Sequence, residues 1–259
     1  MVGLRRASLS PAAGTLGREL AIALLCFGMT AYFLISHGSP DPVPQQALAF
    51  LCQQLAGLGK VGWGTLEGAP LPEQIRQFSQ QAQCQGAERL VILPLFLLPG
   101  NHVVVDLPPA IAAANAVLPI ELLPFLGGQP LFQAWLQLAI AHESAHILLG
   151  HGSRRPEVLP WFEALCQTCG VLPALLTQAT SLDQAIEARI AEGHTSSKIY
   201  GYFLFGGKTV NQVHQQVARL QVRYPHHSIS WVPAIQPTRA LINVLQQILQ
   251  AVPLVEPVG

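Results

Sequence analysis

Residues Leu93 to Pro108 read Leu-Pro-Leu-Phe-Leu-Leu-Pro-Gly-Asn-His-Val-Val-Val-Asp-Leu-Pro. A strand buried on both faces of a parallel sheet reads as a continuous apolar run. Val91 to Leu98 is such a run, broken at its carboxyl end by Pro99-Gly100. His102 follows just past the break. In open α/β sheets ligands bind outside the carboxyl ends of the strands, so the stretch predicts a parallel sheet with a loop imidazole facing its crevice.

The rest of the chain repeats itself around that stretch. Phe33-Leu-Ile-Ser-His37-Gly38-Ser39-Pro-Asp-Pro42 matches Ile147-Leu-Leu-Gly-His151-Gly152-Ser153-Arg-Arg-Pro156 at an offset of 114, and Cys52 falls on Cys166 at the same offset. Phe96-Leu-Leu-Pro-Gly100 matches Phe203-Leu-Phe-Gly-Gly207 at an offset of 107, which also places Pro130 on Pro237. Matches in the same order make an internal duplication the simplest account. Apolar runs alternate with helical patterns over 44–58, 72–83, 130–142, 182–191, 210–223 and 238–251, which predicts parallel sheets with right-handed crossovers. The expected fold class is α/β, with two related doubly wound parallel-sheet halves facing each other across a cleft. The expected boundaries are an extension over 1–28, a first half over 29–144 that carries the site, and a second half over 145–259 whose site is degenerate. The helix from about Leu131 to His142 closes the first half and leads into the second.

Composition narrows the function. Half of the 259 residues are hydrophobic, 11% are charged and the formal net charge is zero, so there is no basic stripe to displace counterions from nucleic acid. Five scattered cysteines make no disulfide framework, which fits a cytoplasmic protein, expected to be a monomer. Arg5 and Arg6 followed by the uncharged stretch from Leu20 to Ser36 imitate a signal peptide or short span. Because Ala31 to Ile35 runs into a His-Gly-Ser that recurs later, Tyr32 to Ser36 reads instead as the first strand, and membrane association is not expected.

His37 ends that strand, and His102 follows the apolar one. In a parallel sheet both strand ends open on one edge, so the two imidazoles can converge on one ion. Two histidines with open positions suit a divalent first-row metal that is held and then released, whereas a structural zinc needs four ligands. Glu67, after the run from Val61 to Leu66, can bring a carboxylate to the same edge.

These motifs together, His37-Gly38-Ser39, Pro94 to Gly100 and His102-Val-Val-Val-Asp106-Leu-Pro108, resemble the sirohydrochlorin chelatase family, class II tetrapyrrole chelatases that insert iron or cobalt. The likeness spans about residues 30 to 250 as a two-copy form. It implies that His37 and His102 carry metal binding and proton removal, with iron or cobalt as a substrate, no permanently bound cofactor and no need for ATP. Iron is favoured because neither half has a His-rich tract or extra soft ligand. Asp106 then reads as steadying the histidine or its loop, and Ser39, Glu67, Gly100, His151 and Ser153 as expected contacts to the tetrapyrrole, His151 being either such a contact or a vestige. Arg154, Arg155, Lys198 and Lys208 are candidates for its carboxylates. The second half departs from the pattern, since His102 falls on Thr209, Asp106 on Val213 and, anchoring Ile75 on Ile186, Glu67 on Gln178. It therefore reads as a wall of the cleft.

Other readings stay open. A metal or tetrapyrrole carrier on the same fold would use the same ligands. His142-Glu143-Ser-Ala-His146 fits the zinc-peptidase signature, but the repeat makes His146 the entry to a strand, where that mechanism lacks its helix. Cys166-Gln-Thr-Cys169 has redox spacing, yet the matching Cys52 has no partner cysteine, which suggests an ordinary buried face.

Overall fold

Strand residues point alternately to the two faces of a sheet, and here that period sorts each strand between two cores. In β1 (Met29–Ser36), Tyr32 and Leu34 join an inner core while Ala31, Phe33 and Ile35 join an outer one. In β3 (Ala87–Pro94), Val91 and Leu93 turn inward while Leu90 and Ile92 turn outward. With β2 (Val61–Thr65) and β4 (Ile120–Leu122) they form a parallel sheet in the order β2-β1-β3-β4. The second half repeats it: β5 (His146–Gly150), β6 (Leu172–Leu175), β7 (Ser196–Tyr202) and β8 (Ser228–Val232) run parallel in the order β6-β5-β7-β8. These features come from a computed structural model that describes residues 29–140, 146–177, 181–233 and 235–253. The expected extension over 1–28 lies outside the described residues, as do His142 and Glu143. No helix among the described residues is long and apolar enough to cross a membrane.

The helices are α1 (Pro42–Leu55), α2 (Leu71–Cys84), α3 (Leu107–Ala113) and α4 (Pro130–Ile140), then α5 (Val158–Cys169), α6 (Leu182–Ala191), α7 (Lys208–Arg223) and α8 (Arg239–Gln250). Helices α2 and α3 cover the outer face of the first sheet with Ile75, Phe78 and Leu107. Helices α6 and α7 cover that of the second with Ile186, Val213 and Val217. Leu48 and Leu51 of α1, Phe132 and Leu136 of α4, Phe162 of α5, and Leu241, Leu245 and Leu249 of α8 all share one inner core between the sheets.

The closing helices change sides. Helix α4 lies against α5, where Gln137 Nε2 donates to Thr168 O at 3.1 Å, and α8 lies against α1 of the first half. Past α8 the chain accepts from Arg89 Nη1 of β3 at Pro253 O, 2.6 Å away.

Three local features differ from expectation. The first strand begins at Met29, and β3 ends at Pro94 rather than Leu98. Leu95 and Leu97 stay in the inner core after the strand stops, so a buried loop continues the apolar run. His102 is not on a loop: it opens a single wide helical turn in which Leu107 N–H donates to His102 O, leading directly into α3.

Candidate active site

The order of each sheet reverses between its first and third strands, and such a switch point leaves a crevice at the carboxyl ends. His37 stands one residue past β1, and the wide turn after β3 carries His102 to the same edge. Their ring centroids lie 4.7 Å apart and nearly edge to face. Gly38 makes this fit possible: its φ is +91°, and a Cβ there would meet Glu67 Cβ at 2.9 Å. Glu67 is fixed through its backbone, whose N–H donates to His37 O at 3.1 Å and whose carbonyl accepts from Thr65 Oγ1 at 2.6 Å.

Hydrogen bonds define which nitrogen of each ring is available. His37 Nδ1–H donates to Gly38 O at 3.1 Å, with Glu67 Oε1 farther off at 3.6 Å. His102 Nδ1–H donates to Asp106 Oδ2 at 2.7 Å. A carbonyl and a carboxylate can only accept, so both protons sit on Nδ1 and both Nε2 lone pairs are left for an ion. Among the described residues no group of three or more His, Cys, Asp or Glu side chains is placed to enclose a metal. Two imidazole nitrogens with open positions are a donor set that suits an ion held and then released.

These rings line a cleft of about 580 Å³ to which both halves contribute. Ser39, Gly100, His151 and Ser153 line it too, whereas Glu67 stands beside His37 outside the lining. Ser39 Oγ accepts from Asp41 N–H at 3.1 Å and Ser153 Oγ from Arg155 N–H at 3.3 Å, so each serine also pins the turn after its histidine. Among the described residues the titratable groups lining the cleft are His37, His102, His151, Tyr202 and Lys208, with no carboxylate. Of the other basic candidates, Arg154 is exposed away from the lining, and Arg155 pairs with Glu157 at 3.4 Å. Lys198 sits opposite His146 at the amino end of β5, the wrong edge of the sheet for this site.

The second half repeats the frame with different side chains. His151 Nδ1–H donates to Gly152 O at 3.3 Å, as His37 does to Gly38. Leu176 N–H donates to Gly150 O as Leu66 N–H does to Ser36 O, so Thr177 is the counterpart of Glu67, and its Oγ1 donates to His151 O at 3.0 Å. Gln178, the counterpart expected from sequence, lies outside the described residues. His146 is buried at the head of β5, a strand rather than a helix. Cys166 and Cys169 sit on α5; burial pushes both thiols up from their ordinary value and pushes Cys52 up to about 12, which argues against thiolate chemistry.

Several contacts around the cleft carried no sequence signal. Tyr202, 2% exposed, donates from its hydroxyl to Leu97 O at 3.1 Å and ties the second half to the loop after β3. Phe96 places its ring 6.1 Å from that of His102. Phe205 holds a left-handed φ of 65° at the cleft wall, an unusual conformation for a bulky residue. The 107 offset pairs Phe96 with Phe203 and Tyr202 with Leu95, but a repeat cannot say that one copy's tyrosine will bond to the other's loop.

A family model for CbiX matches residues 31–143 and again 145–252. No curated protein matches the chain. Among solved structures it is similar to SirB from Bacillus subtilis with Fe3+, at a TM-score of 0.68 and 20% identity over 85% of this chain and 94% of that one. It is similar to SirB from Bacillus subtilis subspecies spizizenii in complex with cobalt, at 0.63 and 18% identity over 85% and 94%. It is also similar to CbiX, the terminal enzyme for biosynthesis of siroheme in denitrifying bacteria, at 0.59 and 18% identity over 86% and 99%. At these identities the solved structures bear on the fold, which is the α/β, two-sheet chelatase architecture.

Proposed function

Since the chain belongs to the CbiX family, we propose that it inserts a divalent ion into sirohydrochlorin without ATP, a step toward sirohaem or cobalamin. The observation that carries this reading is the His37–His102 pair, 4.7 Å apart at a switch-point cleft with both Nδ1 atoms already engaged. Insertion requires an ion delivered to the macrocycle and two pyrrole protons taken away. Neutral imidazoles suit both tasks, because they bind the ion weakly enough to release it and accept protons near neutral pH. In this reading His37 and His102 hold the ion on Nε2 and accept the pyrrole protons once it has left, and Glu67 beside His37 is a contact to the macrocycle.

The macrocycle lies against the apolar lining formed by Leu95 to Leu98 and Tyr202 to Phe205, and Lys208 meets a peripheral carboxylate. Ser39, Gly100, His151 and Ser153 are contacts to it, so the first half supplies the chemistry and the second half a wall. Fe3+ and cobalt in the two SirB structures support a first-row ion. Iron is our choice, because the chain has no His-rich tract that would mark a dedicated cobalt supply.

The test is anaerobic incubation of the purified protein with sirohydrochlorin and Fe2+ or Co2+, followed by absorbance. Metallation well above the protein-free rate, with the higher kcat/KM for Fe2+, is expected. A higher value for Co2+ would overturn the iron assignment, and no acceleration with either ion would leave a carrier in place of an enzyme.

A further inference from the structure

We infer that Asp106 is a positioning residue: it fixes the tautomer of His102, and thereby sets how tightly the cleft holds a divalent ion before handing it on. The inference rests on the reading of His37 and His102 as the ion-holding pair. Of the three imidazoles in the cleft, His102 alone is hydrogen-bonded to a carboxylate among the described residues, at 2.7 Å. His37 and His151 each give Nδ1–H to the carbonyl of the next residue, at 3.1 and 3.3 Å. Glu67 stands 3.6 Å from His37 Nδ1, beyond hydrogen-bond length, and Thr177 takes its place at His151. A carboxylate on Nδ1–H does two things for a metal ligand. It holds the proton on Nδ1, away from the ion, and it makes Nε2 a stronger donor to the ion.

A structural role does not account for Asp106. It lies within a continuous helical run, with a helical backbone and no side-chain bond to a backbone N–H, so its carboxylate does not cap a helix. The carboxylate is turned to His102 instead. The two residues sit four apart on a wide turn closed from Leu107 N–H to His102 O, and side chains at that spacing share one face of a helix. Such turns interrupt regular helices frequently at functional sites.

The second half serves as an internal control. Where His102 is replaced by Thr209, Asp106 is replaced by Val213, which is 1% exposed and packed in the outer core. The imidazole and its carboxylate are absent together. The His102–Asp106 bond is also half in solvent, with side chains 45% and 46% exposed, so it contributes little to folding and its removal leaves the chain folded.

The experiment uses the full chain labelled with 15N at histidine, at one pH where the imidazoles are neutral, with Co2+ alone as the probe. His102 is assigned by its absence in His102→Gln. Long-range 1H–15N correlation is expected to place its proton on Nδ1 in the parent protein, and on Nε2 or averaged between the two in Asp106→Leu. Asp106→Asn, whose amide oxygen still accepts, is expected to keep the Nδ1 proton. Co2+ titrated by absorbance should bind Asp106→Leu on the order of 10- to 100-fold more weakly than the parent, with Asp106→Asn in between and thermal midpoints unchanged.

A parent His102 protonated on Nε2, or an Asp106→Leu variant with parental tautomer and Co2+ affinity, overturns the inference. Neither readout requires turnover. A protein whose tautomer and Co2+ affinity depend on Asp106 but which metallates no sirohydrochlorin would sink the proposed function and leave this inference standing. An active protein indifferent to Asp106→Leu would do the reverse.

Discussion

A neutral imidazole offers an ion only the nitrogen that carries no proton, and hydrogen bonds made by its neighbours decide which nitrogen that is. His37 and His102 lie together as a pair of imidazoles, whereas His151 has the same local frame but the 107 offset puts Thr209 where a second imidazole would be. His37→Ala and His102→Ala are each expected to lower kcat/KM for metallation by about 100-fold or more, the scale of losing a proton acceptor that is also a ligand. His151→Ala should cost only several-fold, chiefly in KM; equal losses from all three would mean that the two halves share the ion. A pH effect follows from the thiols.

Burial raises Cys52 from an ordinary 9.0 to about 12, so the folded state keeps a proton that the unfolded state gives up. Stability from that difference is intact below about pH 9 and is lost as pH rises toward 12. Urea midpoints measured from pH 8 to 10.5 should fall more steeply for the parent protein than for Cys52→Ala, and parallel slopes would refute it. The approach of His37 and His102 was legible from residue type and strand ends. The availability of their Nε2 atoms was not, because it depends on a carbonyl and a carboxylate whose directions only the fold sets.

Between elements, the cleft floor depends on how closely two loops approach. Gly127 follows β4, and its N–H donates to Phe96 O at 2.9 Å; a Cβ there would stand 2.0 Å from Leu97 O and 2.9 Å from the Tyr202 hydroxyl. Since the nearest obstacle is backbone, Gly127→Ala must move the segment from Leu95 to Leu98 that lines the cleft. It is expected to lower stability and raise KM for sirohydrochlorin together, and a variant with parental kinetics would show that the floor tolerates the shift. Tyr202→Phe removes the hydroxyl that donates to Leu97 O and should cost about 1–3 kcal/mol by urea denaturation.

Such close approaches leave no trace in hydrophobic pattern. The apolar run from Val91 to Leu98 marked something buried, but Leu95 and Leu97 are as buried in a loop as in a strand, so the end of β3 was misplaced. Three consecutive valines likewise argue against helix by local preference. The turn from His102 to Asp106 exists because tertiary packing outweighs that preference, as it does where Leu107 buries itself at the head of α3.

Across the whole molecule, the duplication foretold two sheets but not how they are joined. An amphipathic pattern shows that a helix buries a face; it does not show which half receives that face. The sheets are in fact sealed by exchange, with α4 of the first half against α5 of the second and α8 of the second against α1 of the first. One inner core therefore belongs to both halves, and it lies behind a cleft whose walls come from both. This arrangement predicts that the halves unfold together.

Leu245 of α8 is fully buried in that core, and Leu245→Ala should cost about 2–5 kcal/mol for the lost burial and the cavity left behind. If the core is a single cooperative unit, the loss falls equally on β1 and β5 although the substitution is in the second half. Native-state hydrogen exchange is expected to show the slowest amides of Phe33, Leu34, Leu148 and Leu149 accelerated by the same factor. Calorimetry should show one endotherm, displaced downward. Faster exchange confined to one sheet, or an endotherm split in two, would mean that each half folds on its own and that the exchanged helices only dock the halves; the cleft geometry would then depend on that docking rather than on folding.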